Sequence, residues 1–139
     1  MTALNQALLA AAARQAAQRR EVIADGIKTV YWFYPAKSAK PKGDIVFFHG
    51  YRGNHHGLEA IVGALQSVNV YMPDLPGFGQ SEPLRDNHSI ENYKAWIGAF
   101  LKELKFKKKP HLLGHSFGSI LISAFAAGND SMATLILEN

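Results

Sequence analysis

Residues 111–118, with the sequence HLLGHSFG, decide the fold. The segment begins as a short apolar run and continues as Gly114-His115-Ser116-Phe117-Gly118, a G-x-S-x-G pattern that leads into a helical pattern. In such an elbow the serine lies on a strained turn between strand and helix, and the glycines leave room where the two backbones crowd together. The pattern predicts that the Ser116 side chain projects from the carboxyl end of a sheet as a nucleophile.

The elbow belongs to an alternation of apolar and helical segments. Four short runs are too uniformly apolar for half-exposed strands and are typical of strands buried on both faces: residues 45–48, 68–72, 111–113 and 133–137. Helical patterns lie between them at residues 58–66, 89–105 and 117–127, with Ser89 as an N-cap and Gly128 just after the last helix. This alternation predicts the α/β class with a parallel, doubly wound sheet.

The amino-terminal part of the chain has a different pattern of apolar and polar residues. Residues 21–24 and 27–34 are predicted to form a β-hairpin around Asp25-Gly26, because both turn residues tolerate positive φ. Residues 1–20 are predicted to form an amphipathic helix with Leu4, Leu8 and Ala11 or Ala12 on one stripe, and residues 21–139 to form the main domain. The cations of the helix follow its short apolar part, so we expect neither a signal peptide nor a membrane span.

The composition restricts the function classes. A chain of 139 residues with 47% apolar side chains is long enough for one domain with a sizeable core. The formal net charge of +4 comes from the lysine run at residues 102–109, so no further basic face is left for a nucleic acid. The absence of cysteine excludes disulfides, thiolate metal sites and a cysteine nucleophile. We expect a cytoplasmic protein without a metal or cofactor.

A serine that attacks a carbonyl creates an oxyanion, which needs preorganised N–H donors. One predicted donor is the Phe117 amide, at the positive end of its helix. The second should come from His49-Gly50-Tyr51-Arg52-Gly53, the glycine-loosened segment after the apolar run at residues 45–48. We predict the Tyr51 amide for this role, with Arg52 as the second choice. The alternative is that the segment is a simple glycine turn.

Three motifs follow the third, fourth and fifth predicted strands. They are His49-Gly50-Tyr51, then Asp74-Leu75-Pro76-Gly77-Phe78-Gly79-Gln80-Ser81, and finally the pentapeptide at the elbow. In this order they resemble the N-terminal half of an α/β-hydrolase fold enzyme, over about residues 21–139. The resemblance implies a serine hydrolase that takes a small ester or other acyl substrate, in the style of lid-bearing esterases and lipases.

The resemblance also implies a triad in the order serine, acid, histidine, with the last two on loops after later strands. Only Asp130 and Glu138 lie downstream of Ser116 as carboxylates, and no histidine does. Without a base, a serine hydroxyl is a poor nucleophile at neutral pH. We therefore expect an incomplete fold, with its later strands, lid and C-terminal helix absent, and a triad acid and base that belong to the absent part.

None of the six histidines is predicted to serve as the base. His49 is expected to line the site and form hydrogen bonds, and His115 to be a pocket or packing residue whose side chain points away from the nucleophile. His55 and His56 are poorly spaced for a shared metal and are assigned to the surface or to substrate gating. Other candidates are expected to be structural: His88, His111 and, through turn chemistry, Asp74.

Three functions remain open at this point. The first is a serine hydrolase completed by the C-terminal part of the same enzyme, so that the isolated chain is expected to be inactive. The second is a non-catalytic remnant that acts as a binding or assembly module, for example by self-association at an exposed sheet edge. The third is a carbon–carbon bond hydrolase or a cofactor-free haloperoxidase-like enzyme that uses the same serine.

Overall fold

The computed structural model describes residues 2–139, and its elements lie close to the predicted segments. Across this range the helices are α1 (Ala3–Ala16), α2 (Glu59–Ala64), α3 (Ile90–Leu104) and α4 (Phe117–Ala126), with a short 3-10 helix (His55–Leu58) before α2. The strands are β1 (Gln18–Ala24), β2 (Ile27–Tyr34), β3 (Asp44–Phe48), β4 (Asn69–Pro73), β5 (His111–His115) and β6 (Thr134–Glu138).

The strands form one mixed sheet in the order β1-β2-β4-β3-β5-β6. β3 pairs in parallel with β4 and β5, and β5 pairs in parallel with β6. β2 pairs antiparallel with β1 and β4, so the hairpin extends the parallel part at one edge. Because the chain crosses from β4 over β3 to β5, the winding direction reverses at β3. In open α/β sheets, ligand-binding sites form next to such a reversal, at the carboxyl ends of the strands. The predicted α/β class and parallel sheet with an amino-terminal hairpin are confirmed.

The hairpin turn is formed by the predicted residues. Asp25 has φ 52° and Gly26 has φ 73°, which is the left-handed conformation that a tight turn of the hairpin type needs. β1 begins at Gln18, three residues earlier than predicted, because residues 18–20 continue the ladder with residues 31–33 of β2. These polar side chains are exposed at the edge of the sheet, where charged residues are well tolerated. α1 accordingly ends at Ala16, inside the predicted segment 1–20.

The helices cover both faces of the sheet, as double winding requires. Ile45 and Phe47 of β3 belong to a core that includes side chains of α1 and α2. The alternate residues Val46 and Phe48 belong to a second core with side chains of α3 and α4. Among residues 2–139, no helix has both the length and the apolar character that crossing a membrane would require.

The contact face of α1 differs from the predicted stripe. Leu4 and Leu8 are 69% and 61% exposed, whereas Ala13 is buried. α1 approaches α2 so closely that a Cβ added to Gly63 would overlap the Leu9 carbonyl oxygen. The predicted stripe that contains Leu4 and Leu8 is therefore not the face of α1 that packs on the rest of the protein. Alanine occurs on every side of this helix, so small residues permit close approach on a face that the apolar pattern did not single out.

β6 forms the other edge of the sheet and is more exposed than its apolar sequence predicts. Ile136 is 40% exposed and Leu137 is 53% exposed. Within the described residues, no strand pairs with the outer side of β6. Parallel strands are normally covered on both faces, so this edge offers both unpaired backbone groups and apolar side chains. Association of another polypeptide at this edge stays a prediction.

Candidate active site

Ser116 lies at the turn between β5 and α4. Its backbone has φ 53° and ψ −114°, a combination that residues other than glycine rarely adopt. Its N–H donates to the Glu138 carbonyl oxygen on β6 at 2.9 Å. Its own carbonyl oxygen accepts a hydrogen bond from the Ser119 hydroxyl at 2.6 Å. These bonds hold the predicted strained turn, and Ser116 is exposed at the carboxyl edge of the sheet.

The two glycines of the pentapeptide are required by close backbone contacts. A Cβ added to Gly114 would lie 2.6 Å from the carbonyl oxygen of Gly118, where β5 meets the first turn of α4. A Cβ added to Gly118 would overlap the carbonyl oxygen of Phe48, at the end of β3. The elbow is therefore pressed against both β5 and β3, which is the crowding that the sequence pattern predicts.

The loop after β3 lies beside the nucleophile. A Cβ added to Gly50 would lie 3.4 Å from the Ser116 Cβ and 3.3 Å from the His115 Nδ1. The Gly53 N–H donates to the Gly50 carbonyl oxygen at 3.0 Å, and Arg52 at the third position of this turn has φ 59°. A positive φ at the third position is typical of a type II turn. The glycine-loosened segment is thus an ordered turn, and Tyr51 occupies its second position.

Two backbone amides lie near Ser116 without an acceptor. Phe117 begins α4, so its N–H is one of those that a helix leaves unpaired, at the positive end of the helix dipole. The Tyr51 ring packs edge-on against the Phe117 ring with centroids 5.8 Å apart, which brings the turn against the start of α4. Among the turns, loops and caps of residues 2–139, neither amide donates to a backbone oxygen. The Tyr51 and Phe117 amides thus lie beside the elbow without a backbone acceptor among the described residues.

His49 is buried behind this turn and joins two loops. The Leu75 N–H donates to His49 Nε2 at 2.9 Å, so the ring proton is on Nδ1, which donates to the Gly50 carbonyl oxygen at 2.8 Å. Burial lowers the pKa of His49, and the hydrogen bond to Gly50 opposes this shift only in part. Both ring nitrogens are occupied, so His49 acts as a neutral support of the turn and does not accept the Ser116 proton.

Acidification is expected to destabilise the protein through His49. The unfolded chain binds a proton on this ring near the ordinary pKa of about 6.5, whereas the folded chain binds it only at lower pH. The stabilising contribution is thus present above about pH 6.5 and is lost as the pH falls towards the folded pKa. Urea unfolding at a series of pH values should show this loss in the wild-type protein and a weaker loss in His49→Gln. Equal pH dependence in the two proteins would contradict the assignment.

Asp74 is buried after β4, and both its carboxylate oxygens are used within the protein. Oδ2 accepts from the Gln80 N–H at 2.9 Å, and Oδ1 accepts from the His55 N–H at 3.0 Å and lies 3.0 Å from His55 Nδ1. Burial alone would raise the pKa of Asp74, but the hydrogen bonds from the His55 ring and from the two backbone groups lower it. The prediction of turn chemistry for Asp74 is confirmed, because the carboxylate fixes its own loop.

The assignment of His55 to the surface or to substrate gating is wrong. His55 is buried, and its ring stacks on Trp32 of β2 with centroids 3.3 Å apart. Trp32 and Asp74 are distant from His55 in the sequence, so no local pattern reports that these side chains meet. His55 instead ties the segment before α2 to the loop after β4.

A buried carboxylate connects the same segment to α1. Glu59 is almost fully buried, and its Oε2 accepts from the Arg14 Nε and Nη2 at 3.0 and 2.8 Å. Its Oε1 is bonded to the His56 ring. His55, His56 and Glu59 place ligand-type atoms within 4.8 Å of one another. Each has a protein partner and the Arg14 charge faces the carboxylate, so we assign no metal or cofactor to this cluster.

No histidine among the described residues forms a hydrogen bond with the Ser116 hydroxyl. In four of these histidines the ring Nδ1 is hydrogen-bonded to another group: His49, His55, His56 and His88. His111 begins β5, at the opposite end of the strand from the elbow. His115 is partly buried beside Gly50, and its pocket or packing role stays a prediction. The structure thus brings Ser116, Gly50, Tyr51 and Phe117 together without a base.

An aromatic pocket of about 270 Å³ opens beside the two amides. Its walls are Tyr51, Gly77, Phe78, His88, Tyr93 and Phe117. The Tyr93 hydroxyl donates to the Pro76 carbonyl oxygen at 2.8 Å, and burial raises its pKa to about 12, so the ring stays neutral. Sequence reasoning missed His88 and Tyr93 as pocket residues. The helical pattern places Tyr93 on an apolar face, but nothing in the sequence connects either residue to Ser116.

The fold and the elbow define the class of protein: an α/β sheet that carries a strained serine between a parallel strand and a helix. A family model described as "alpha/beta hydrolase fold" matches residues 45–139, and the chain belongs to this family. It is similar to Lipase 1 of Psychrobacter immobilis, with 28% identity over 107 residues, which cover 76% of this chain and 32% of that lipase. The chain thus spans about a third of the length of this relative.

Solved structures share the fold at low sequence identity. The Cif epoxide hydrolase from Acinetobacter nosocomialis matches with a TM-score of 0.75 and 20% identity, over 99% of this chain and 45% of that one. The haloalkane dehalogenase DatA from Agrobacterium tumefaciens C58 matches with a TM-score of 0.76 and 21% identity, over 88% of this chain and 40% of that one. Sequence identities in this range establish a shared fold and carry no information on the reaction.

Proposed function

We propose that this chain carries the nucleophile and the oxyanion donors of a serine hydrolase that acts on an ester or a related acyl substrate. The observation that carries the proposal is the conformation of Ser116, with φ 53° and ψ −114°. A strained and exposed serine persists only where the surrounding structure imposes it, and such strain is concentrated at functional sites. Gly114 and Gly118 permit the close backbone contacts that surround this turn.

The reaction begins with attack of the Ser116 oxygen on the substrate carbonyl carbon. A carbon–oxygen bond forms, the carbonyl electron pair moves to oxygen, and the Tyr51 and Phe117 amides receive that oxyanion. The hydroxyl proton passes to a histidine, which returns it to the leaving alcohol when the ester bond breaks. Water then hydrolyses the acyl-enzyme by the same steps and releases the acid. The positive end of α4 favours the negative charge that develops in both halves.

The histidine belongs to a polypeptide outside residues 2–139, since no histidine described here is bonded to Ser116. This polypeptide is either a continuation of the chain or a separate chain. The protein with that polypeptide is called the assembled enzyme below. Resemblance to lipases supports an ester substrate, and the pocket of about 270 Å³ suits a small apolar acyl or alcohol group against Phe78 and Phe117.

The isolated chain is expected to hydrolyse a p-nitrophenyl ester at no more than a trace rate, whereas the assembled enzyme is expected to turn it over. Without a histidine the serine keeps its proton at neutral pH, so attack is slow. Initial rates of p-nitrophenol release by the two purified proteins test this. Turnover by the isolated chain that is lost on Ser116→Ala would show that no outside base is needed. Failure of the assembled enzyme to act on any activated ester would contradict the hydrolase.

The exposed edge at β6 supports a second candidate function, that of a non-catalytic assembly module. Ile136 and Leu137 are exposed there beside unpaired backbone groups. Such an edge can pair with a second copy of the same chain. Sedimentation of the purified chain distinguishes the two candidates when it is combined with a fluorophosphonate probe, which reacts with activated serines. A stable dimer and no labelling in any assembly would favour the module, and labelling of Ser116 favours the hydrolase.

A further inference from the structure

Eight of the ten lysines lie in two segments that the fold brings together. Residues 37–42 contain three of them, and residues 102–109 contain five. The first segment lies at the start of β4, since the Lys42 N–H donates to the Ser67 carbonyl oxygen at 2.7 Å, two residues before that strand. The second segment runs from the last turn of α3 to the start of β5. All eight side chains are exposed, and together they are called the lysine surface below.

The lysine surface lies at the edge of the sheet where the parallel strands begin. A groove of about 740 Å³ between the starts of β3 and β5 is lined by Lys42 and by the three lysines of residues 107–109. A second groove, of about 590 Å³, continues from residues 107–109 to Lys102 and Lys105. Because β5 begins just after residues 107–109 and ends just before Ser116, the lysine surface and the elbow lie at opposite edges of the sheet.

The lysine surface has a large excess of positive charge. Three carboxylates lie in or beside its segments, namely Asp44, Glu103 and Asp130. Among residues 2–139, Lys109 is the only one of the eight lysines that forms an ion pair, with Asp130 at 3.0 Å. The eight lysines and three carboxylates have a formal charge of +5, whereas the other seven cations and eight carboxylates of the chain sum to −1. The positive charge of the protein is therefore concentrated on one face.

The end of α3 explains only a small part of this charge. A cation is favoured near the carboxyl end of a helix, but the effect falls off within the last turn. Lys102 lies in that turn, and Lys105 closes the helix in the left-handed conformation with φ 54°. The lysines of residues 37–42 and 107–109 lie outside α3. Crowded like charges repel one another and oppose the compact state, so a face of this kind indicates a partner that supplies negative charge.

The side chains of the lysine surface are suited to a diffuse negative charge. Residues 37–42 and 102–109 contain no arginine, which is the residue that binds single phosphates through a rigid pair of donors. No large apolar side chain is exposed within these two segments, and Phe106 is half-buried with its ring edge-on against Tyr71. Single-stranded nucleic acids normally stack on aromatic side chains, and protein partners normally need apolar or aromatic anchors. Anionic lipid headgroups need only clustered cations.

We propose that the lysine surface binds the anionic headgroups of a lipid bilayer, so that the protein attaches to the membrane surface through charge. This function goes beyond the proposed hydrolase and does not depend on it. Attachment through the starts of the parallel strands directs Ser116, at the opposite edge of the sheet, away from the bilayer. The substrate of the assembled enzyme would then reach the elbow from solution.

The test is co-sedimentation of the purified chain with lipid vesicles at about 0.1 M salt. We expect binding to vesicles of phosphatidylcholine with about 30% phosphatidylglycerol, and binding at least about tenfold weaker to phosphatidylcholine alone. About 1 M salt should release the chain, because the screening length falls to about 3 Å. The combined variant Lys42→Gln, Lys107→Gln and Lys108→Gln should bind about 100-fold more weakly, since each lysine near an anionic surface contributes about fivefold.

The matched control removes three exposed cations of the β1–β2 hairpin, by Arg19→Gln, Arg20→Gln and Lys28→Gln. It should bind within about threefold of the wild type, because these groups lie away from the lysine surface. Thermal unfolding checks the fold of each variant, and the lysine variant should have a midpoint no lower than the wild type, since repulsion is relieved.

Four outcomes would overturn the proposal. Equal binding to the two kinds of vesicle would assign the contact to apolar groups, such as those exposed on β6. Equal losses in the two triple variants would show that net charge acts without a defined surface. Binding to neither kind of vesicle would exclude membrane attachment. Binding of a single-stranded oligonucleotide more tightly than the anionic vesicles would assign the lysine surface to a nucleic acid. Each of these outcomes would leave the proposed hydrolase intact.

Discussion

Ser116→Ala is expected to lower the turnover of a p-nitrophenyl ester by the assembled enzyme by about 10⁴-fold or more. Removal of the nucleophile of a serine triad has an effect of this size, because the residual rate comes only from the oxyanion donors and from binding. The fold should be kept, since the Ser116 hydroxyl is exposed and its backbone makes the hydrogen bonds that hold the turn. Initial rates at saturating ester, together with the thermal midpoint of unfolding, give both results.

The matched control for this variant is Ser123→Ala. Ser123 lies on the same helix, is exposed, and has no place at the elbow. Its replacement should leave the rate within about twofold of the wild type, as expected for a surface substitution away from the site. If Ser116→Ala retained the wild-type rate, the reaction would not use this serine. If both variants lost the rate equally, the loss would come from disturbance of α4.

Gly118→Ala is expected to destabilise the fold by about 3 kcal/mol or more, because an added methyl group has no room. Its Cβ would overlap the carbonyl oxygen of Phe48, which belongs to the rigid end of β3. Neither α4 nor β3 can move without breaking the contacts of the elbow. Chemical unfolding followed by tryptophan fluorescence reports the change, since Trp96 is fully buried in the same core cluster as residues of α4.

Gly98→Ala provides the control, since Gly98 also lies within a helix. An added Cβ there would lie 3.6 Å from a Phe125 ring carbon, an ordinary contact. Alanine is a better helix former than glycine, so this variant should be neutral or up to about 1 kcal/mol more stable. A Gly118→Ala protein as stable as Gly98→Ala would show that the elbow is not packed as tightly as described.

Much of the fold could be predicted from local signals. The Asp25-Gly26 turn, the Ser89 N-cap and the elbow each depend on the backbone conformation of a few neighbouring residues, and the structure has all three. The face of α1 could not be predicted, because its alanines give no clear apolar stripe and the contact with α2 depends on Gly63, far along the chain.

At the candidate site too, local features could be predicted from the sequence and contacts between distant segments could not. The turn at Gly50 and the place of Phe117 follow from short motifs whose geometry is local. The burial of His55 against Trp32, the hydrogen bond from Leu75 to His49 and the pocket wall at Tyr93 arise from contacts between distant segments. Sequence patterns predict the local conformation of a residue more readily than they predict which distant residue it contacts.

The most direct test of the account is to locate the adduct formed by a fluorophosphonate probe on the assembled enzyme, by mass spectrometry of its peptides. The account predicts one adduct on Ser116, formed only by the folded protein and reduced by a competing ester. An adduct on a different serine, or none on Ser116 while the enzyme hydrolyses the ester, would contradict the claim that the strained turn after β5 carries the nucleophile.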